Sequence, residues 1–223
     1  MLTLRSTVAL ALLFPLAVIA FGVATKDRRE REQSARRQLI VSTARTLAEA
    51  EGWDAVTTRR LAAEIEYSQP VLYKHFAGME QIADAVALDG FAELSEVLAA
   101  AADAEVAAEA VLVRIAYAYL GFARDNPALY EAMFTRATAL HFGADDTPPQ
   151  LTAAFATLHR AVGRVADGQD VDTLTEVFWA CLHGTVTLGV TGRLRDDHVA
   201  ERVQLLAERF TGARQPARDV ARE

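Results

Sequence analysis

The sequence predicts an all-α fold, and three observations predict it. Apolar residues recur at three- and four-residue spacing over most of the chain after residue 25. No segment keeps a two-residue alternation bounded by turn residues. Alanine is abundant and aromatics make up only 8% of the chain, a balance that favours helix over strand.

The elements follow in order. Leu39, Thr43, Leu47 and Ala50 recur at helical spacing, and Gly52 ends that helix. Thr57 can cap a short second helix carrying Leu61, Ala62 and Ile65. Ser68 can cap a third, with Leu72 and Phe76 four apart on its inner side, and Gly78 breaks it. A long helix is expected from about Met79 to Ala102. Further helices are expected at Val106–Arg124, at Pro127–Phe134 after the break at Asp125–Pro127, and at Pro149–Ala166 after the loop Gly143–Pro149. Two more follow at Asp170–Thr191 and Asp196–Phe210, the latter with a stripe of Val199, Val203, Leu206 and Phe210. The domains expected are an apolar extension (1–25), a front module (26–78), a rear module (79–211) and a disordered polar tail (212–223).

Charge separates the two modules. From Lys26 to Gly78 there are ten Lys/Arg and eight Asp/Glu; from Met79 onward there are twelve and twenty-two. The net charge of −7 argues against a nucleic-acid partner for the whole chain, but the mildly basic front module escapes that argument. A single cysteine, Cys181, excludes an internal disulfide and fits a reducing compartment. Enzyme readings find no footing. The chain has no dinucleotide or phosphate-binding loop, no metalloprotease motif and no metal-ligand spacing among its five histidines, so no cofactor and no metal are expected.

The informative stretch is Val56–Val86, VTTRRLAAEIEYSQPVLYKHFAGMEQIADAV. Two short helices joined by a tight turn make a helix-turn-helix. On the second, Leu72 and Phe76 would pack inward while Pro70, Tyr73 and Lys74 project the other way. Gln69 and Pro70 occupy the first turn, the part of such a helix that meets base edges in a major groove. Glutamine can pair with adenine through two hydrogen bonds, and a small apolar group can touch a thymine methyl. Tyr73, Lys74 and His75 are phosphate-contacting types.

Thr57–Ala62, Ser68–Phe76, the preceding Gly52 and the following Met79–Val86 together resemble the DNA-binding domain of the tetracycline-repressor (TetR) family of bacterial regulators. The resemblance covers about Arg36–Val86. It implies base contacts by Gln69, Pro70 and Val71, and contacts to phosphate and groove wall by Thr58, Tyr73, Lys74 and His75. It also implies backbone contacts by Arg59 and Arg60. Two positions depart from the family: Glu66 stands in the turn where glycine is usual, and Met79 stands where lysine is common. In the rear module Trp179, His183 and Gly184 look like the signature of the family's WHG-type C-terminal subgroup.

The resemblance implies a homodimer that reads a palindromic double-stranded DNA operator, joined through its last two helices. Expected interface residues are Leu182, Val186, Val190, Val199, Val203, Leu206 and Phe210. A small-molecule inducer of unknown identity is expected between the rear helices. Candidate lining residues are Tyr117, Phe122, Met133, Phe134, Phe155, Trp179 and His183, each of which also suits plain core. The reading is a cytoplasmic, ligand-released repressor.

The extension admits two readings. A span from Val8 to Ala24 is 17 residues, interrupted by Pro15, at the short end for a membrane helix. VATKDRRERE from Val23 reads as an ordinary chain start, which would make residues 1–22 an upstream over-extension. The alternative is a membrane-tethered helical regulatory or interaction protein, with Lys26, Arg28, Arg29 and Arg31 holding the remainder in the cytoplasm.

Overall fold

The computed structural model describes residues 5–103, 107–136, 140 and 147–211, with the backbone alone for 5–27. The described residues are helical and contain no strand. The expected loop Gly143–Pro149 falls mostly outside them, and the tail from Gly212 falls wholly outside. Among the described residues no helix is long and apolar enough to cross a membrane.

Helix α1 runs from Arg5 to Glu51. Its inner stripe is Ile40, Ala44, Leu47 and Ala48, whereas Leu39 is 42% exposed. The stripe therefore sits one residue later than the periodicity suggested, because Ile40 and Ala44 supply the pair that Leu39 and Thr43 were expected to supply. Gly52 ends α1 with φ 81°, a conformation open to glycine, and its N–H bonds back to Ala48. A single 3₁₀ turn, Trp53–Ala55, follows.

Helix α2 (Thr58–Glu64) is capped as expected: the Thr57 hydroxyl accepts from the Arg60 N–H at 3.2 Å. It ends in a Schellman turn. Glu66 N–H bonds to the Ala63 carbonyl and Tyr67 N–H to that of Ala62, which forces Glu66 to φ 55°. A side chain there is strained. Glu66→Gly is expected to stabilise the protein by about 0.5–1 kcal/mol, part of the strain relief being offset by the freer unfolded chain. A rise in thermal midpoint would show it; a fall would mean that the Glu66 side chain stabilises the turn.

Helix α3 (Gln69–Tyr73) is only five residues long. Ser68 holds the cap position, yet its hydroxyl makes no capping bond. Leu72 and Phe76 are buried beneath it. Helix α4 (Met79–Ala102) begins after Gly78 and runs from the front module into the rear one. Its inner face bears Ile82, Val86, Phe91, Leu94 and Leu98.

Around α4 pack α5 (Ala108–Asp125), α6 (Pro127–Glu131), a π turn at Ala132–Arg136, and α7 (Pro149–Gly163). Helix α8 (Val171–Val190) packs on α5 and α7, and α9 (Val199–Thr211) closes over α5. The buried side chains form one connected cluster from Ile40 to Ala207, so the front helices and the rear bundle share a core. Where α4 meets α6 and the π turn, Gly90 allows a close approach. A Cβ there would lie 2.7 Å from Met133 Sδ and 2.8 Å from Leu129 Cδ1.

Candidate nucleic-acid interface and inner cavity

Burying Leu72 and Phe76 fixes the roll of α3 and turns its other side outward. Gln69, Pro70, Tyr73 and Lys74 are exposed, Tyr73 to 52%, while Val71 and His75 are half-buried. In α2, Thr58 is half-buried and Arg59 is exposed. Arg60 stands apart: Glu51 and Glu64 each hold its guanidinium at 2.9 Å, so a phosphate would have to compete with two carboxylates.

Sequence reasoning missed Arg37 of α1. Its Nη1 donates to the His75 carbonyl at 2.8 Å and its guanidinium lies 4.0 Å over the Phe76 ring. It clamps the chain just beyond α3 and so sets how the exposed side of that helix is presented.

Between α4, α5, α7, α8 and the π turn the rear bundle leaves a partly open cavity of about 20 Å³, room for one water. Phe91, Leu94, Leu98, Tyr119, Phe134, Ala154, Phe155, Leu158 and Trp179 line it, with no charged group among them. Of the expected lining residues, Phe134, Phe155 and Trp179 are on the wall. Phe122 and Met133 are buried in the core but do not line it. Tyr117 is 46% exposed on the outer face of α5, because the buried stripe of that helix runs through Leu112, Ile115, Tyr119 and Phe122.

His183 joins the wall through a chain of hydrogen bonds. Trp179 Nε1 donates to the Tyr119 hydroxyl at 3.1 Å, the Tyr119 and Tyr130 hydroxyls are 2.8 Å apart, and the Tyr130 hydroxyl reaches His183 Nδ1 at 2.7 Å. One direction satisfies every group: indole to Tyr119, Tyr119 to Tyr130, Tyr130 to a neutral imidazole accepting at Nδ1. Burial pushes the Tyr119 hydroxyl up to about 12, the N–H of Trp179 opposing it, and burial also raises Tyr130. Burial holds His183 below the ordinary imidazole value of 6.5. As pH falls through 6.5 the unfolded chain therefore takes up the proton first, and stability is lost down to the folded value. Thermal melts from about pH 7.5 to 5.5 should show this loss, and His183→Gln should remove it. Identical pH dependence in both proteins would assign the loss to other groups.

Helix α6 connects this chain to the front module. Glu49 of α1 accepts from the Ala128 and Leu129 N–H groups at 3.1 and 2.9 Å, filling the first turn of α6. Trp53 Nε1 donates to the Ala128 carbonyl at 2.8 Å. Arg45 pairs with Glu93 of α4 and donates to Asn126 Oδ1 at 2.9 Å. Arg136, on the π turn, bridges Glu131 and Asp54. The next residue of α6 after Leu129, Tyr130, stands in the hydrogen-bonded chain, and the π turn carries Phe134 into the cavity wall.

The expected interface residues divide. Leu182 and Val203 are buried within the protomer, and Phe210 packs edge-on against Phe178 at 5.0 Å, so these three hold α8 and α9 to their own bundle. Val186 and Leu206 are half-buried. Val190 is 81% exposed, and Val199, Leu188 and Leu205 join it on the surface. Cys181 is exposed on α8.

Known proteins share this arrangement. The family described as bacterial regulatory proteins, tetR family, matches residues 40–86, and the tetracyclin repressor-like C-terminal domain matches residues 112–212. The chain is 33% identical over 165 residues to the uncharacterized HTH-type transcriptional regulator Rv0681 of Mycobacterium tuberculosis, covering 72% of each chain. A solved protein of unknown function from Rhodococcus sp. RHA1 superposes with a TM-score of 0.62 at 28% identity, over 78% of this chain and 93% of that one. A TetR variant from Acinetobacter baumannii AYE, in complex with minocycline, superposes with a TM-score of 0.55 at 19% identity, over 77% of this chain and 92% of that one. The helix-turn-helix of residues 40–86, the bundle behind it and a regulator relative aligned across most of both chains lead to one conclusion: this chain belongs to the TetR family of DNA-binding transcriptional regulators, not to any class of enzyme.

Proposed function

We infer that the protein is a ligand-released repressor that grips a palindromic operator as a homodimer in the cytoplasm. The observation that carries the reading is the continuity through α6. The same five-residue helix is bonded to Glu49 and Trp53 of the front module and, through Tyr130, to the cavity wall.

The lining argues for a compact, uncharged, largely aromatic ligand, since a charge would be buried there without a partner. With room for one water, the cavity must open to admit it, displacing Phe134 or Trp179. Moving Phe134 drags the π turn, and with it α6 and the packed α4. That alters the separation of two reading helices which must enter grooves about 34 Å apart. The ligand releases DNA only by binding the spread form better.

The dimer reading is supported by the apolar surface around Tyr117, Leu188, Val190, Val199 and Leu205, beside a groove of about 500 Å³ between α5, α8 and α9. The minocycline complex of the Acinetobacter protein supports ligand binding by this fold. A gel shift with DNA flanking the protein's own gene tests the whole reading. Specific retardation, relieved by a neutral aromatic compound that also raises the thermal midpoint, is expected. Retardation that no such compound relieves would overturn ligand release, and no specific retardation would overturn the repressor.

A further inference from the structure

Upstream of Arg37, α1 leaves the domain: residues 28–36 are all exposed while the helix continues unbroken. Helices exposed on every side are kept for a reason other than the core. At about 100° per residue, Arg29, Gln33, Arg36 and Arg37 fall in one sector about 100° wide. No acidic residue falls inside that sector. Glu30 and Glu32 border it, and Glu32 is held by Arg28 at 2.9 Å on the far side. Arg37 fixes where the sector points, because its guanidinium rests on Phe76 and the His75 carbonyl at the end of α3. Arg29 and Arg36 lie upstream on that same side, about 10 Å apart along the axis. Among the described residues neither makes a hydrogen bond or ion pair, although both, with Arg28 foremost, help to hold the Glu32 carboxyl below its ordinary value.

We propose that this basic face of α1, through Arg29 and Arg36, is a second DNA-binding surface that engages the phosphates flanking the half-site read by α3. It rests on the DNA-reading role of α3 and adds to it. Arg29 and Arg36 stand on the side of the helix that already touches α3, far enough apart to meet separate phosphates of one strand. The contact is to backbone alone, so it contributes affinity and salt dependence without sequence preference. It also gives the long α1 an orientation against the duplex.

The test is the salt dependence of DNA binding by the full chain. Arg29→Ala with Arg36→Ala should reduce the slope of log K against log salt by about two units. The advantage of the wild type over this variant should then shrink by about twelvefold between 50 and 200 mM salt. The ranking of operator over mismatched DNA should not change. Arg28→Ala with Arg31→Ala removes equal charge from the opposite side and should leave the slope in place. Equal loss of slope in both variants would reduce the effect to net charge and overturn the proposal. So would an unchanged slope in the first variant, or one that binds DNA normally but no longer sediments with vesicles containing anionic lipid, which would assign the face to a membrane. A wild type that fails to bind DNA at all would instead remove the reading of α3.

Discussion

Gln69→Ala is expected to weaken specific DNA binding by about 1–3 kcal/mol, roughly 5- to 150-fold, and to relax the preference at one base pair. Gln69 is exposed at the first position of α3, where its amide can reach a base edge while Leu72 and Phe76 hold the helix from behind. Lys74 offers the contrast. It closes α3 as an exposed cation, so Lys74→Ala should weaken binding to every sequence alike and lower the salt slope by about one unit. Neither change touches the core, so both variants should melt as the wild type does. Equilibrium binding to operator and to random DNA, each at two salt concentrations, separates the two signatures. Equal losses on both DNAs for Gln69→Ala would show that its amide reads nothing.

Glu49→Ala should separate ligand binding from DNA release. Its carboxylate satisfies two first-turn N–H groups of α6 that otherwise have no acceptor. Removing it should cost about 1–2 kcal/mol of stability, as loss of a helix cap does. The larger effect is on coupling. A ligand that weakens DNA binding by about 5- to 150-fold in the wild type should have little effect in the variant, although ligand and DNA each bind it nearly as before. Operator affinity measured with and without a neutral aromatic ligand reads this directly. Undiminished release would mean that α4 carries the signal by itself.

Much of the fold was legible because its punctuation is chemical. Gly52 by its positive φ, Thr57 by its hydroxyl and Pro127 by its fixed φ start or stop helices, and α4 begins and ends where the sequence indicates. Roll about a helix axis was harder to read. Leu39 and Ile40 are both apolar, and only packing chooses between them. The same ambiguity favoured Tyr117 over Tyr119, two residues and therefore about 200° apart on one helix. The spacing of Leu112, Ile115, Tyr119 and Phe122 held the answer, and a buried tyrosine hydroxyl demands a partner such as Tyr130.

Contacts between distant segments left no local trace. Nothing near Arg37 announces the His75 carbonyl 38 residues on, and nothing near Glu49 announces Ala128. The π turn was also invisible, since it follows from the packing of Met133 and Phe134 against α4 rather than from any turn residue. Leu182 and Val203 show a further limit. Apolar stripes on α8 and α9 could face another chain or their own, and the protomer uses these two itself.

On the proposed reading of ligand release, a chamber with space for one water would make this regulator a gauge of bulk as well as of chemistry. An effector entering there would first have to meet the free energy of parting Phe134 from Trp179, and its apparent affinity would be diluted by the rarity of the opened form. Scarce or undersized compounds would then pass unnoticed, and the set point of the response would rest with the seam that resists entry. Trimming that seam, rather than adding contacts to the guest, is the route to a more sensitive sensor.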